Sequence, residues 1–377
     1  MLGNKHFYII FCDFIIYCSG DFMKVCFCGG GTLGHVIPAL SIIDKIDEDV
    51  LFIASTNGVE KEIIKNNSKI KRALFIEMRG LNRDKLCLNM DNLDMMKKYK
   101  KSKTIIEEFF INEKPDVVIG MGGYISYVSI KVALKMKIKT IIHEQNAIMG
   151  LSNKLVYHKV NLVLLSFPIE KLNHCNVKVI GNPRVTEVNL KYSDINIEKP
   201  RTLLVVGGSR GAEKINELII DNKEFFVENK IKCTLITGKK YFINNQQKIK
   251  DNNCEHLNII SFVEDLLYYI LFNQVIISRS GATTISEITA LNKPCIFIPS
   301  PNVTNNHQYK NIINLYQSGL CEMIEEKNIN NDVLQKMIKK MFDDGDYRME
   351  MVNKLKGSNS ENIIDNFISS IKEVINS

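Results

Sequence analysis

The sequence predicts an α/β protein made of two doubly wound, Rossmann-like domains. The chain has 377 residues, which exceeds the usual size of one hydrophobic core and favours two domains. Short apolar runs alternate with longer amphipathic stretches, as expected for parallel strands that are buried on both faces and joined by helices. The second half of the chain repeats this series, so two consecutive α/β units are expected.

The expected strands are short runs rich in Val, Ile and Leu. They lie at Val25–Cys28, Leu51–Ala54, Val117–Ile119, Thr140–Ile142 and Leu162–Leu165, and then at Leu203–Val206, Thr234–Thr237, Val275–Ser278 and Cys295–Pro299. Between the two series, residues 181–200 contain Gly-Asn-Pro and Glu-Lys-Pro, which is typical of an interdomain linker. We therefore expect a first domain over 23–182, a second over 183–358, and a C-terminal helix within 359–377 that packs back on the first domain.

Residues 1–22 form an extension before the first expected strand. Its apolar stretch is short for a spanning helix, contains Asp13, and lacks a small-residue cleavage site. Met23 directly precedes a good first strand, so we expect translation to start there. An interfacial anchor is the alternative.

Composition limits the functional classes. Hydrophobic residues make up 45% and charged residues 24% of the chain, which is ordinary for a soluble globular protein. The net charge of +7 suits an anionic ligand or an anionic membrane surface, but it is too small to indicate nucleic-acid binding. The ten cysteines show no metal-ligand spacing, which favours a reducing compartment. We expect no metal and no cofactor.

Glycine-rich or polar loops follow many of the expected strands. They lie at residues 29–35, 120–124, 142–147, 206–212, 278–287 and 299–311. In doubly wound sheets these strand ends meet helix N-termini, where free N–H groups favour anionic ligands. A dinucleotide-binding loop would look similar, but the first loop lacks Gly-x-Gly-x-x-Gly spacing, and His35 stands at its helix start. The loops predict a nucleotide-type ligand between the two domains.

Several of these motifs together resemble the MurG family of N-acetylglucosaminyltransferases. They are Gly29 to His35, Gly120-Met-Gly-Gly-Tyr124, His143-Glu-Gln-Asn146, Gly207-Gly-Ser209, Ser280-Gly-Ala282 with Ser286-Glu287, and His307-Gln308. The resemblance runs from Met23 to the C-terminus. It implies a GT-B fold, in which the two domains face each other across a cleft, and an inverting hexosyltransferase of peptidoglycan synthesis.

The resemblance also implies the substrates and the compartment. N-acetylglucosamine would pass from UDP-N-acetylglucosamine to the 4-hydroxyl of undecaprenyl-linked muramoyl-pentapeptide. The enzyme would be peripheral, on the cytoplasmic side of the cell membrane. Leu74 to Phe110 combines apolar residues with Lys97, Lys98, Lys100, Lys101 and Lys103, which suits anionic lipid. A helix with a solvated lysine face is the alternative.

Residue by residue, the resemblance assigns a site. Its donor contacts would be Ser209, Gln308, Glu287 at the ribose, Ala282, Thr283 and Thr284 at the diphosphate, and Val263 at the uracil. Its contacts to the donor sugar and acceptor would be Thr32, Leu33, Gly34, His35 and Asn146. His35 is our candidate base, because imidazole is the commonest general base.

Departures from the family pattern limit this assignment. Leu33 stands where a small residue is usual, and Arg210 replaces a common Gln. Arg184 comes one place earlier than in the usual Gly-Asn-Pro-Val-Arg form, so we leave it out of the predicted site. Val128 replaces a frequent proline.

Two rival functions remain open at this stage. A nucleotide-sugar epimerase, or another UDP-sugar transferase of the same fold, would share the donor site. A non-catalytic nucleotide-sugar-binding protein could keep the loop around Glu287 and lose the acceptor loops. The presence of both His35 and Asn146 favours the transferase.

Overall fold

The computed structural model describes residues 23–58, 60–78, 90–169, 172, 176–192, 195, 199–207, 212–358 and 362–377. The predictions for residues 1–22 and for Ser209 lie outside these ranges. Within them, the strands form two separate parallel sheets, as predicted.

The first sheet has the order β3-β2-β1-β4-β5-β6-β7. Its strands are β1 (Lys24–Cys28), β2 (Asp49–Ser55), β3 (Ile70–Ile76), β4 (Val117–Gly120), β5 (Lys139–Glu144), β6 (Leu162–Leu165) and β7 (Val177–Val179). The helices around it are α1 (Leu33–Ile43), α2 (Lys61–Asn66), α3 (Met90–Glu113), α4 (Gly123–Lys135) and α5 (Leu151–Lys154). Because β1, β4 and β5 pair in parallel, the loops after them lie at one edge of the sheet.

The second sheet has the order β10-β9-β8-β11-β12-β13. Its strands are β8 (Thr202–Val206), β9 (Lys232–Ile236), β10 (Leu257–Ile260), β11 (Val275–Ser278), β12 (Cys295–Phe297) and β13 (Glu322–Met323). The remaining helices are α6 (Pro183–Tyr192), α7 (Glu213–Asp221), α8 (Lys223–Glu228), α9 (Lys239–Asn244), α10 (Gln246–Asn252), α11 (Leu266–Phe272), α12 (Ala282–Ala290), α13 (His307–Gln317), α14 (Asn331–Asp343), α15 (Gly345–Ser358) and α16 (Ile363–Asn376).

Strand β1 illustrates how each sheet is buried on both faces. Val25 and Phe27 point into one core cluster, and Cys26 and Cys28 point into the other. All four side chains are fully buried, which is why the strand reads as an unbroken apolar run. Burial raises the pKa of the Cys28 thiol to about 12, so this cysteine serves as a small core residue.

Helices α6 and α16 tie the two domains together. The segment in which a linker is predicted contains α6, which packs against α1 of the first domain and α12 of the second. After the second domain, α16 returns to the first, where Phe367, Ile371 and Val374 complete one core cluster. Their spacing of about one helical turn places them on one face of α16.

Candidate functional site

The first glycine loop positions His35 near the start of α1. Gly31 has a φ of +84°, and Thr32 is the extended N-cap residue, without a side-chain capping bond. His35 Nδ1 lies 3.2 Å from the Gly30 carbonyl oxygen and 3.3 Å from Thr32 Oγ1. Because a carbonyl oxygen can only accept, Nδ1 carries the proton and Nε2 remains the basic nitrogen of the neutral ring.

The second glycine loop forms the wall behind this imidazole. Gly122 and Gly123 have φ angles of +109° and +81°. A methyl group at Gly122 would stand 2.8 Å from His35 Cδ2, and one at Gly123 would stand 2.6 Å from the Gly30 carbonyl oxygen. Glycine is therefore required at both positions by the close approach of the two loops as well as by the backbone conformation.

A buried carboxylate lies beneath the first glycine loop. The Glu60 side chain is fully buried, and its Oε1 accepts a hydrogen bond from the Gly31 N–H at 3.0 Å. A methyl group at Gly30 would come within 2.6 Å of the same oxygen. Sequence reasoning missed Glu60, because it lies outside the glycine motifs, one strand away.

Most of the third loop is structural, which corrects our expectation that its polar side chains line the cleft. His143, Glu144 and Gln145 are at most 3% exposed. Glu144 accepts bonds from the backbone N–H groups of Asn146 and Gly150, and Gln145 donates to the Met121 carbonyl. These side chains hold the loop in shape, and Asn146 is the half-buried member that faces the second domain.

The buried His143 side chain is expected to make the protein less stable in acid. Burial lowers its pKa to about 4 from an ordinary value of 6.5. The unfolded chain binds this proton more readily, so the contribution to stability is complete above pH 6.5 and is lost as the pH falls toward 4. We expect the free energy of unfolding to fall by on the order of 3 kcal/mol across this pH range. Urea unfolding at pH 7.5 and 4.5 measures it.

A matched pair of variants isolates this effect. His143→Gln should be less stable at neutral pH but should show a flatter pH dependence than the native chain. His158→Gln, at an exposed histidine, should keep the native dependence. If the free energy of unfolding depends on pH equally in His143→Gln and in the native protein, other groups cause the acid sensitivity.

Asn311, on helix α13, bridges the two domains. Its side chain is 2% exposed. Its Oδ1 accepts a bond from the Ala147 N–H at 2.8 Å, and its Nδ2 donates to Asn146 Oδ1 at 3.2 Å and to the Ser280 carbonyl at 3.3 Å. One amide thus joins the third loop of the first domain to the fifth loop, 278–287, of the second.

The start of helix α12 supplies the anion-binding geometry of the second domain. Gly281 is the extended N-cap, and it makes no side-chain capping bond. The first-turn residues are Ala282, which is buried, and Thr283 and Thr284, which are half-buried. The N–H groups of such a turn have no partner within the helix, which suits a phosphate group.

The first turns of α1 and α12 approach each other across the domain boundary. A methyl group at Gly34 would stand 3.6 Å from Thr283 Oγ1. His35 therefore lies next to the turn that the resemblance assigns to the donor diphosphate. Thr32 and Leu33 stand at this opening, and 37% of the Leu33 side chain is exposed.

Two further predicted donor residues lie in the same domain. Gln308 is half-buried at the start of α13, and its Oε1 accepts a bond from the Ser300 N–H at 2.8 Å. Val263 is half-buried in the loop before α11 and contacts the core of the second domain.

Arg184, which we left out of the predicted site, contacts a predicted site residue. It lies on α6, and its Nε donates to Glu287 Oε1 at 3.0 Å. Burial raises the pKa of the Glu287 carboxyl, and Arg184 opposes that rise. The position of this arginine in the sequence motif gave no signal for the contact.

Comparison with known proteins decides the family. Residues 25–165 match the family described as "Glycosyltransferase family 28 N-terminal domain". Residues 202–367 match the family described as "Glycosyltransferase family 28 C-terminal domain". A relative from Oenococcus oeni is 37% identical over 332 residues, covering 83% of this chain and 87% of its own. Its name is UDP-N-acetylglucosamine–N-acetylmuramyl-(pentapeptide) pyrophosphoryl-undecaprenol N-acetylglucosamine transferase. The chain belongs to the MurG family of glycosyltransferases.

Solved structures agree with the predicted GT-B fold. The crystal structure of Acinetobacter baumannii MurG matches with a TM-score of 0.72 at 23% identity, covering 93% of this chain and 99% of that one. A UDP-N-acetylglucosamine 2-epimerase matches with a TM-score of 0.67 at 10% identity, covering 93% and 95%. At these sequence identities, the two structures show only that the fold is shared. The named relatives favour a MurG hexosyltransferase over the epimerase alternative.

In this MurG family member, Asn311 should couple the two domains. Asn311→Asp keeps the oxygen that accepts from Ala147 but replaces the donor with an oxygen facing Asn146 Oδ1 and the Ser280 carbonyl. A buried polar group left unpaired costs about 1–3 kcal/mol, so we expect kcat/KM to fall about tenfold or more. Steady-state kinetics with both substrates measures the loss.

Asn314→Asp, at an exposed position on the same helix, is the matched control. It introduces the same charge without touching the first domain, and it should keep native kinetics. If both variants behave alike, Asn311 does not couple the domains.

Proposed function

We propose that this chain transfers N-acetylglucosamine from UDP-N-acetylglucosamine to the 4-hydroxyl of undecaprenyl-diphospho-N-acetylmuramoyl-pentapeptide. Family membership and the relatives' names support the reaction. The main structural support for the site is that the N-termini of α1 and α12 lie close together. His35 is therefore beside a helix start that suits a diphosphate.

The second domain holds the donor in this proposal. Ala282, Thr283 and Thr284 bind the diphosphate through the first turn of α12, and Glu287 accepts hydrogen bonds from the ribose hydroxyls. Val263 lies at the uracil, and Gln308 contacts the donor. Ser209, three residues after β8 in the sequence, completes the donor contacts of the proposal.

The first domain presents the acceptor. Thr32, Leu33, Gly34 and Asn146 face the donor sugar and the acceptor, and Leu33 narrows the approach to the loop. The acceptor 4-hydroxyl attacks the anomeric carbon as His35 Nε2 takes its proton. The bond to the diphosphate breaks, and UDP leaves with inversion at the anomeric carbon. Helix N–H groups at α12 stabilise the negative charge that develops on the leaving group.

The direct test uses radiolabelled UDP-N-acetylglucosamine and lipid-linked muramoyl-pentapeptide. We expect label to enter the lipid phase in proportion to UDP released, and to stay in the aqueous phase when the acceptor is left out. Release of UDP without label in the lipid would refute the transfer. Formation of an epimeric UDP-sugar would favour the epimerase instead.

Such an acceptor requires contact with a membrane, and we propose that α3 provides part of it. The side chains of Lys97, Lys100 and Lys101 are exposed on this helix, as is Met96. Phe110, which we expected in the same patch, is instead 1% exposed and belongs to the core. No helix in the described ranges has the length and apolar character needed to cross a bilayer.

The lysines of α3 should therefore favour anionic vesicles. Replacing Lys97, Lys100 and Lys101 by Gln removes about 1 kcal/mol of attraction per lysine, so flotation with anionic vesicles should fall while flotation with neutral vesicles stays unchanged. The matched control replaces Lys230, Lys336 and Lys356, exposed lysines of the second domain, by Gln. Equal losses for the two triple variants would contradict a role for α3.

A further inference from the structure

Arg184 joins three helices at the boundary between the domains. From α6, its Nε donates to Glu287 Oε1 on α12 at 3.0 Å, and its Nη1 donates to Glu187 Oε1 at 2.5 Å. The other oxygen of Glu187 accepts a hydrogen bond from Ser41 Oγ on α1. The Arg184 side chain is 14% exposed, so its contacts are partly shielded from water.

Glu287 is an unfavourable place for an isolated charge. Its side chain is 9% exposed, and the carboxylates of Glu187 and Asp265 add negative potential. A buried carboxylate stays ionised only when a cation or hydrogen-bond donors compensate for lost hydration. Arg184 supplies both, because its guanidinium carries the charge and its Nε–H points at Oε1.

Ribose recognition needs a carboxylate that is ionised and fixed in direction. A protonated carboxyl gives up acceptor capacity, and a freely rotating one loses the geometry that selects two neighbouring hydroxyls. An arginine fork fixes orientation better than a lysine, because its planar donors engage two carboxylates at set angles. Arg184 holds Glu287 and Glu187 in this manner.

We propose that Arg184 is a positioning residue for donor recognition: it holds the Glu287 carboxylate in the orientation that selects the ribose hydroxyls, without itself contacting the nucleotide. The proposal rests on the proposed function of Glu287 as the ribose-binding carboxylate. Through Glu187 and Ser41, the same fork anchors the donor site to α1, the helix that carries His35.

The test measures binding of UDP, 2′-deoxy-UDP and 2′,3′-dideoxy-UDP to the full chain by calorimetry. We expect the native protein to prefer UDP, and Glu287→Gln to lose most of that preference. Arg184→Gln should weaken UDP binding about tenfold or more, the loss typical of a charge-assisted hydrogen bond. Its affinity for 2′,3′-dideoxy-UDP should stay at the native level, because the hydroxyls read by Glu287 are missing.

The pH dependence gives a second readout. Glu287 faces Arg184, Glu187 and Asp265, so removing the arginine leaves it among negative charges. Ribose recognition requires the ionised form, and the acid limb of UDP binding should therefore move to higher pH in Arg184→Gln. Lys191→Gln is the matched control, because it removes an exposed cation of the same helix and leaves the Arg184–Glu287 contact in place, and it should keep the preference for UDP.

The outcomes separate this proposal from the proposed function. If Arg184→Gln weakens UDP and 2′,3′-dideoxy-UDP by the same factor, the arginine contacts the phosphates and the positioning role is refuted, while sugar transfer stands. If Glu287→Gln leaves the preference for UDP unchanged, the ribose assignment itself is wrong. If Arg184→Gln does not fold, Arg184→Lys carries the test. It keeps the cation and the native acid limb but should lose ribose preference, and an unchanged preference would overturn the proposal.

Discussion

His35→Ala is expected to lower kcat/KM for sugar transfer by about 10²- to 10⁴-fold, the usual contribution of a general base. The ring is held by the Gly30 carbonyl at Nδ1, which leaves Nε2 as the basic nitrogen. It also lies beside the helix start proposed for the diphosphate. Removing it should abolish proton transfer from the acceptor hydroxyl while leaving UDP binding nearly unchanged.

The measurement is steady-state kinetics across pH, with UDP binding determined separately. Turnover should fall in His35→Ala while UDP binding stays near the native level, since the residual reaction proceeds without a base at this position. His158→Ala, at an exposed histidine, is the control and should keep native activity. Near-native turnover with an unchanged pH profile in His35→Ala would show that another group is the base.

Gly123→Ala is expected to be the most damaging single methyl addition in the site. Its φ of +81° costs an alanine about 1–2 kcal/mol. The new methyl would also stand 2.6 Å from the Gly30 carbonyl oxygen, a backbone atom that cannot turn aside. Overpacking adds about 1–3 kcal/mol and forces apart the two loops that hold His35. We expect lower stability and a loss of kcat/KM of at least about tenfold.

Gly31→Ala separates the cost of the positive φ from the cost of the close contact. Gly31 has a φ of +84°, nearly the same as Gly123, but a methyl group there meets no atom within 4 Å. Urea unfolding should therefore show the conformational cost alone for Gly31→Ala, and a larger loss for Gly123→Ala. Equal destabilisation would mean that the contact between the glycine loops contributes nothing.

The strands that the sequence predicted are the interior strands of both sheets. Most of their residues are buried on both faces, so these strands are runs of mainly apolar residues. The strands that were missed are the edges: β3 and β7 of the first sheet, β10 and β13 of the second. In β3, the consecutive residues Lys71, Arg72 and Ala73 are all exposed and interrupt the pattern, because both faces of this part of the edge strand meet water.

Some residues of the candidate site could be recognised from the sequence, and others could not. The glycine loops and His35 were recognisable because tight turns and helix starts require particular residue types at fixed spacing. Glu60 and Asn311 were not, because each acts through hydrogen bonds to loops distant in sequence. Conversely, the polar character of His143 and Glu144 suggested a cleft, whereas their hydrogen bonds are satisfied inside the first domain.

The sequence by itself determined the two Rossmann-like domains, the family, and the loops at which ligands are expected. These features depend on local periodicity and on residues close together in the chain. Only the tertiary structure decided which residues distant in the sequence meet: Arg184 with Glu287, 103 positions apart, and Asn311 with Ala147, 164 apart. The physical reason is that such contacts depend on how helices α6, α12 and α13 pack against one another and the first domain, and no local pattern records that packing.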